Sequence, residues 1–263
     1  MSANPSTGPR TVSLVTGAEM PLLGLGTWQL RGDAAREAVL AALDAGYRHL
    51  DTATMYGNER EIGEALRESG LPREEIFLTT KLPPQQAGRE RQTLEASLAA
   101  LGLDAVDLWL IHWPPGGAGV PVWRAFLDLQ AEGRTRAVGV SNYSPAQIDE
   151  LVRETGVAPA VNQIEWSPFL FDEARLAHSR AQGVVLEGYS PFKSARLDSP
   201  VLVEIAARHG KTPAQVIVRW HVEHEVVVIP KSARRERIVA NADVWDFSLS
   251  ADDVAALDAL GRS

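Results

Sequence analysis

The chain has 263 residues, no cysteine, a formal net charge of -8 and 45% hydrophobic residues. The absence of cysteine excludes disulfides and thiolate metal sites, and the acidic balance argues against nonspecific nucleic-acid binding, which depends on neutralising phosphates. No apolar run reaches the length of a membrane-spanning helix. The N-terminus lacks the features of a secretory signal, so we expect a cytoplasmic protein with a disordered tail over residues 1–10.

The first predicted element is a β-hairpin over residues 11–21, which turns near Gly17. Eight short segments rich in Leu and β-branched residues follow it and are predicted as strands. Most show no clean alternation of polar and apolar residues, which is typical of strands buried on both faces of a parallel sheet. The predicted strands are 22–27, 47–51, 76–80, 105–112, 137–141, 160–165, 184–190 and 226–230.

Helical patterns lie between and after these strands, and many begin with Asp, Asn or Ser and end at Gly. Eight strand–helix units without a linker predict an α/β fold, a (β/α)₈ TIM barrel that forms a single domain over residues 1–263. An open doubly wound sheet is the alternative. The predicted helices are 33–46, 58–70, 90–102, 121–133, 144–156, 172–183, 199–210, 212–224, 234–242 and an extra C-terminal helix at 250–261.

Two segments bear on phosphate binding. GLGTWQ (24–29) begins like the dinucleotide fingerprint, but it lacks the third glycine and follows a hairpin, so it is not a Rossmann loop. A nicotinamide cofactor would have to bind by another route. KSARRER (231–237) holds four cations and one acid. It is either a solvated helix start or a small pocket for a phosphate group.

Polar side chains stand at the carboxyl ends of the predicted strands, where catalytic groups lie in this fold. Taken singly, Asp51 and Lys81 could form a structural ion pair, His112 could be a core histidine and Tyr56 a loop aromatic. Buried charges are costly unless paired, and a proton-active set on three neighbouring strands is hard to assign to packing alone. Further polar residues at strand ends are Ser141, Asn142, Gln163, Tyr189, Ser190, Lys231 and Ser232.

The four residues of this set form a coherent acid–base group. A phenol has an ordinary pKa of about 10, and a nearby Lys81 would lower the pKa of Tyr56. Asp51 would hold Lys81 charged and in place. His112 could donate a hydrogen bond to a carbonyl oxygen, to which Tyr56 would give its proton as general acid.

The chain resembles the aldo-keto reductase superfamily, and within it bacterial reductases related to 2,5-diketo-D-gluconate reductase. This resemblance implies NADPH-dependent reduction of aldehydes, α-dicarbonyls, keto-sugars or keto-acids by a monomer, with Asp51, Tyr56, Lys81 and His112 as the catalytic tetrad. The cofactor, NADPH or NADP⁺, would lie extended across the barrel top. The stretches that carry the resemblance are GLGTW, AGYRHLDTATMYGNE, TTKL, DLWLIHWP, AVGVSNYS, NQIEWSP, GYSP and VVIPKS.

Matching positions extend the resemblance to the cofactor and the substrate. Many members carry Glu immediately before the Asn near the adenine, where this chain has Ala240. The basic residues that would bind the 2′-phosphate are nevertheless present, so NADPH is expected to be preferred over NADH. The implied contacts are Ser141, Asn142 and Gln163 to the carboxamide, Tyr189 stacked on the nicotinamide, Ser190 and Pro191 at the pyrophosphate, Lys231, Ser232 and Arg237 around the 2′-phosphate, Asn241 near the adenine, and Trp28, Trp113, Tyr56 and His112 around the substrate.

Two other functions stay open from the sequence. One is a cofactor-binding regulatory barrel with little turnover. The other is an isomerase or lyase that uses Lys81 as a Schiff-base amine. No metal site is expected, because the histidines show no ligand spacing at strand ends.

Overall fold

A closed barrel of eight parallel strands forms the centre of the molecule, in a computed structural model that describes residues 10–193 and 195–262. Each strand pairs with its neighbours in chain order. The last strand returns to the first through a parallel bridge between Leu23 and Val228, where the Gly24 N–H donates to the Val228 carbonyl at 2.9 Å. This closure confirms the predicted (β/α)₈ barrel and excludes the open sheet. The predicted disordered tail lies outside the described residues, except for Arg10.

The elements agree with the predicted ones to within a few residues. The hairpin strands are β1 (Thr11–Ser13) and β2 (Glu19–Pro21). The barrel strands are β3 (Leu25–Gly26), β4 (His49–Asp51), β5 (Phe77–Leu82), β6 (Val106–Ile111), β7 (Thr135–Ser141), β8 (Val161–Glu165), β9 (Val185–Tyr189) and β10 (Val227–Ile229). The helices are α1 (Asp33–Asp44), α2 (Glu59–Ser69), α3 (Glu90–Leu101), α4 (Val120–Ala131), α5 (Pro145–Thr155), α6 (Glu173–Ala181), α7 (Pro200–His209), α8 (Pro213–Glu223), α9 (Arg235–Ala242) and α10 (Ala251–Asp258).

The N-terminal hairpin closes one end of the barrel. β1 and β2 pair antiparallel around a turn in which Gly17 has a φ of 81°, a left-handed conformation that favours glycine. Leu14 and Met20 are buried and belong to the same apolar cluster as Phe77 and Leu108 of the barrel interior. Apolar side chains therefore fill this end, and the carboxyl ends of the strands are left for polar groups.

The strand period of two decides which side chains point into the barrel. In β6, Leu108 and Leu110 face the interior, whereas Trp109 faces outward and stacks on Phe126 of α4 with ring centroids 3.7 Å apart. The same alternation carries His112, directly after β6, to the inner side. None of the helices in 10–193 and 195–262 is long and apolar enough to cross a membrane.

Close packing of α2 against α3 predicts a large effect of one substitution. A Cβ on Gly63 would lie 2.2 Å from the Leu101 carbonyl oxygen, a backbone atom that cannot rotate away. Although alanine is normally the better helix former by about 1 kcal/mol, we expect Gly63→Ala to lower the free energy of unfolding by about 1–3 kcal/mol, the usual cost of overpacking. Urea denaturation measures the loss. Glu64→Ala, on the exposed side of the same helix, should change stability by less than about 0.5 kcal/mol.

Candidate active site

A cavity of about 590 Å³ opens at the carboxyl ends of the barrel strands. Eleven of the predicted site residues line it: Trp28, Asp51, Tyr56, His112, Trp113, Asn142, Gln163, Tyr189, Ser190, Pro191 and Lys231. Five lining residues were not predicted: Gly26, Gln29, Phe192, Lys193 and Ile229. Phe192 and Lys193 continue the loop after Pro191, so their position in the chain was an available signal.

Asp51 and Lys81 form a buried ion pair beneath the cavity. They lie at the ends of the adjacent strands β4 and β5, and Lys81 Nζ donates to Asp51 Oδ1 at 2.6 Å and to the Thr52 carbonyl at 2.7 Å. Burial favours the neutral amine, but opposing interactions, led by the charge of Asp51, outweigh burial and raise the pKa of Lys81. A fully buried and charged amine that already donates two hydrogen bonds is a poor nucleophile for Schiff-base formation. This geometry therefore disfavours the isomerase or lyase alternative.

Tyr56 stands on a short 3₁₀ helix, Thr54–Tyr56, where the sequence indicated a loop. Thr54 anchors this turn by donating from Oγ1 to the Lys81 carbonyl at 2.9 Å. Lys81 Nζ lies 5.1 Å from the centre of the Tyr56 ring. Burial raises the pKa of Tyr56, and the opposing effect of Lys81 does not cancel it. The prediction that Lys81 lowers the pKa of Tyr56 below its ordinary value is therefore wrong when only the groups of the protein act on it. The phenol keeps its proton at neutral pH.

His112 contributes a neutral imidazole to the same end of the cavity. Its ring centroid is 5.7 Å from that of Tyr56, and it stacks on Trp113 at 4.2 Å. Burial and the charge of Lys81 lower the pKa of His112 to about 2. Its Nδ1 is buried without a partner among the described residues. A neutral ring at this position can offer one N–H to an acceptor in the cavity.

Two tryptophans form the apolar rim of the cavity; their role as substrate walls stays a prediction. The Trp28 side chain is 47% exposed and that of Trp113 is 40% exposed. Trp28 meets the edge of Tyr56 with ring centroids 5.0 Å apart. Since two large aromatic surfaces are left uncovered beside the phenol, an apolar or planar molecule could be held against it.

Asn58 supports this end of the site. The sequence predicted it only as the first residue of a helix. The side chain is fully buried, and its Oδ1 accepts from Thr52 Oγ1 at 2.7 Å. Its Nδ2 donates to the carbonyls of Thr27 at 3.0 Å and Leu30 at 2.9 Å. One amide thus joins the segment that carries Trp28 to the end of β4.

A second group of amides and hydroxyls lies across the cavity from Tyr56. Gln163 Nε2 donates to Asp51 Oδ2 at 2.7 Å and to Glu187 Oε2 at 3.0 Å. Because both amide hydrogens are used on carboxyl groups, the amide oxygen is left for a bound molecule. Ser141 does not line the cavity; its Oγ donates to the Gln163 carbonyl at 2.8 Å and accepts from Asn142 Nδ2 at 3.0 Å.

Unusual backbone conformations concentrate around the cavity. Among the described residues, four positions other than glycine have a positive φ, and Gln29, Asn142 and Ser190 at 63°, 62° and 52° all line the cavity. Such conformations cost about 1–3 kcal/mol each and cluster at functional sites. Tyr189 is held beside them because its Oη donates to Asn142 Oδ1 at 2.8 Å.

The basic segment 231–237 begins at the cavity and continues into α9. Lys231 lines the cavity, and Ser232 Oγ accepts from the Arg234 N–H at 3.0 Å. Arg235 is 3.3 Å from Asp44 Oδ2, so one of the cations has a structural partner. Of the predicted residues farther along α9, Arg237 is exposed and Asn241 is buried; neither lines the cavity.

No group of three His, Asp or Glu side chains in the described part of the chain is arranged to hold a metal ion. The family model for the aldo/keto reductase family matches residues 22–262. The chain belongs to the aldo/keto reductase family. Its members are oxidoreductases of carbonyl compounds, and the resemblance inferred from the sequence is confirmed.

Several relatives match this aldo/keto reductase over nearly their whole length. The glyoxal reductase of Bacillus subtilis is 43% identical over 256 residues, which cover 96% of this chain and 93% of the relative. The 2,5-diketo-D-gluconic acid reductase B of a Corynebacterium species is 43% identical over 258 residues, with the same coverage.

Solved structures of other members have the same fold. An aldo/keto reductase from Brucella melitensis superposes with a TM-score of 0.92 at 43% identity, covering 97% of this chain and 100% of its own. The aldo-keto reductase of Bombyx mori, solved in complex with NADP, superposes with a TM-score of 0.91 at 32% identity, covering 97% and 94%.

Proposed function

We propose that the protein reduces small carbonyl compounds to alcohols with NADPH. The observation that carries this proposal is the convergence of Asp51, Lys81, Tyr56 and His112 at one end of a cavity with an aromatic rim. A protonated phenol can supply the proton that a carbonyl oxygen takes up on reduction, a neutral imidazole can hold that oxygen, and the paired charges can stabilise the phenolate left behind. Membership of the aldo/keto reductase family supports the same conclusion.

Each of the four side chains has a distinct role in this proposal. His112 donates a hydrogen bond to the carbonyl oxygen and holds it near Tyr56. Tyr56 gives its proton to that oxygen while charge develops on it, and solvent later restores the proton. Lys81 stabilises the phenolate that Tyr56 leaves behind, and Asp51 keeps Lys81 charged and aimed at the ring.

The residues opposite Tyr56 fit a nicotinamide dinucleotide. The free amide oxygen of Gln163 suits the amide hydrogens of a carboxamide. The Asn142 amide donates to Ser141 and to the His112 carbonyl, so only its Oδ1, which also accepts from Tyr189, can take part, with Ser141 as support. The half-buried Tyr189 offers a ring for stacking, and Ser190 and Pro191 lie beside it at the cavity wall. When bound, the cofactor would supply a hydride to the carbonyl carbon. For the other end of the cofactor, we propose Lys231, Ser232 and Arg237 at the 2′-phosphate and Asn241 near the adenine.

The substrate class follows from the rim of the cavity. Trp28 and Trp113 are exposed there, which suits small aldehydes and α-dicarbonyls. The name of one relative, a glyoxal reductase, supports α-dicarbonyls, and that of another, a 2,5-diketo-D-gluconic acid reductase, extends the proposed class to keto-sugars and keto-acids. We further propose that the protein is a cytoplasmic monomer with a single domain over residues 1–263.

NADPH consumption with methylglyoxal and with benzaldehyde tests the proposal, with NADH as the cofactor control. Turnover of both substrates with NADPH and a much lower rate with NADH is the expected result. Tight NADPH binding without turnover of either substrate would instead favour the regulatory barrel. Absence of cofactor binding would overturn the proposal.

Preference for NADPH is expected to depend on the basic segment. Lys231→Ala and Arg237→Ala should each weaken NADPH binding by about tenfold to a hundredfold, because a hydrogen bond to a charged group contributes about 1.5–3 kcal/mol. NADH binding should change little. Equilibrium titration measures both affinities. Arg235→Ala is the matched control, because Arg235 belongs to the same segment but pairs with Asp44; equal losses in all three variants would argue for a general charge effect.

A further inference from the structure

A second carboxyl group lies buried inside the barrel, and it has no part in the proposed acid–base chemistry. Glu187 is on β9, and its side chain is fully buried. Its Oε2 accepts from Gln163 Nε2 at 3.0 Å. Its Oε1 has no hydrogen-bond partner among the described residues, and His49 Nε2 is 3.6 Å away. An acid placed in the barrel interior with one oxygen unpartnered is costly and calls for an explanation.

The charges around Glu187 leave it without a counter-ion. Asp51 and Lys81 already neutralise each other, so an ionised Glu187 would be an extra negative charge. Burial and the charge of Asp51 raise the pKa of Glu187 to about 8, although Lys81 and Gln163 oppose the rise. Burial lowers the pKa of His49 to about 3, so that ring stays neutral. Glu187 is therefore mostly protonated at pH 7 and ionises slightly above it.

The register of the strands places Glu187 level with Gln163 and one side-chain layer below Tyr189. Its Cα pairs with that of Gln163 across β8 and β9. Glu187 and Tyr189 are two residues apart on β9, so both side chains are on the same side of the strand. Gln163 and Tyr189 are the residues that we assign to the carboxamide and the ring. A charge on Glu187 would thus lie beside the proposed carboxamide residue Gln163 and beneath the ring residue Tyr189, next to the part of the cofactor whose charge changes in the reaction.

We propose that Glu187 distinguishes the two redox forms of the cofactor through its own ionisation, an inference that rests on the proposed function. Oxidised nicotinamide carries a positive charge and the reduced ring is neutral. Binding of NADP⁺ favours loss of the Glu187 proton to solvent, whereas binding of NADPH leaves the proton in place. By linkage, an ionised Glu187 strengthens NADP⁺ binding relative to NADPH binding.

The consequence is a pH-dependent ratio of two affinities. As pH rises through about 8, the ratio of the NADPH Kd to the NADP⁺ Kd should increase by about tenfold, the order expected for two partly screened buried charges. Titration of the cofactor's own 2′-phosphate is common to both forms and cancels in the ratio. In Glu187→Gln, which keeps the size of the side chain and an acceptor for Gln163, the ratio should be independent of pH.

Quenching of tryptophan fluorescence gives both dissociation constants between about pH 6 and pH 10, bracketing the Glu187 pKa of about 8. Tyr56→Phe is measured in parallel, because a positive nicotinamide could also act on the Tyr56 phenol. Persistence of the pH-dependent ratio in Tyr56→Phe and its loss in Glu187→Gln support the proposal. A flat ratio in the wild type, or persistence of the pH dependence in Glu187→Gln, would overturn it.

Calorimetry of the wild type provides a second readout that does not require the Glu187 variant to fold. Near pH 8, NADP⁺ binding should release a fraction of one proton, seen as a dependence of the heat on the ionisation enthalpy of the buffer. NADPH binding should release much less. Equal proton release by both forms would contradict the proposal. Failure of both forms to bind would instead overturn the proposed function itself.

Discussion

Tyr56→Phe is expected to lower the rate of NADPH-dependent carbonyl reduction by about 10²–10⁴-fold, the usual contribution of general acid catalysis. The variant keeps the ring that packs on Trp28 and lies beside Lys81, but it has no proton to donate. Affinity for NADPH should change little, because the residues that we assign to the cofactor lie across the cavity. Steady-state rates with methylglyoxal, together with NADPH titration, measure the two effects.

Tyr143→Phe is the matched control for this substitution. Tyr143 is also a buried phenol, but its Oη donates to the Ala118 carbonyl at 3.1 Å and it does not line the cavity. The control should retain most of the wild-type rate. If Tyr56→Phe kept more than about a tenth of the activity, another group would have to supply the proton. Tyr56 would then contribute only packing contacts.

The direction of the Tyr56 pKa predicts the pH profile of reduction. The general acid must be protonated to act, and burial raises its pKa above the ordinary value of about 10. The Tyr56 step should therefore be independent of pH across the neutral range and slow only in strongly alkaline solution. Single-turnover rates at saturating NADPH test this in the Glu187→Gln background, where Glu187 ionisation cannot contribute to the pH dependence. A decline centred near pH 7 would mean that the bound cofactor or another group lowers the pKa of Tyr56.

The barrel and the positions of the acid–base residues were predictable because both follow from simple spacing. Lys81 and His112 end apolar strands, and the carboxyl ends of parallel strands meet at one rim of a barrel. Strand alternation then points both side chains inward. The 3₁₀ turn that holds Tyr56 was missed because three residues are too few to show a helical period.

The sequence says less about the surroundings of each group, namely its burial, its pKa and its backbone conformation. Lys81 was correctly expected beside Tyr56, but the net pKa of the phenol depends on burial, which no local motif reports. Glu187 was hidden inside a predicted strand with no polar alternation, so its inward direction went unnoticed. The left-handed backbone at Gln29 and Ser190 also has no signal in residue type, since neither is Gly or Asn. The roles of the predicted site residues stay predictions.

Lys81→Met is expected to abolish most activity and to destabilise the fold by about 3–5 kcal/mol, the usual cost of removing one partner of a buried ion pair. Methionine fills the space of the lysine stem but leaves Asp51 without the cation that lies 2.6 Å from its Oδ1. Gln163 would be its remaining side-chain donor. Urea denaturation measures the stability, and NADPH consumption measures the activity.

The stability of Lys81→Met should fall as pH rises, and the pKa of Asp51 gives the reason. Burial already raises the pKa of Asp51, opposed by Lys81, so loss of the cation should raise it further above the unfolded value of about 3.9. The unfolded chain then binds fewer protons than the folded one, and stability must fall as pH rises through the folded-state pKa. We expect the variant to be markedly more stable near pH 5 than near pH 8, measured relative to wild type.

The double variant Asp51→Asn/Lys81→Met separates structure from chemistry. Removing both charges leaves a neutral amide beside Gln163, so most of the stability lost in Lys81→Met should return, and its pH dependence relative to wild type should vanish. Activity should not return, because no cation is left to stabilise the Tyr56 phenolate. Recovery of activity together with stability would show that the ion pair serves only the fold. Stability that stays low in the double variant would show that Lys81 packing, and not an uncompensated Asp51, causes the loss.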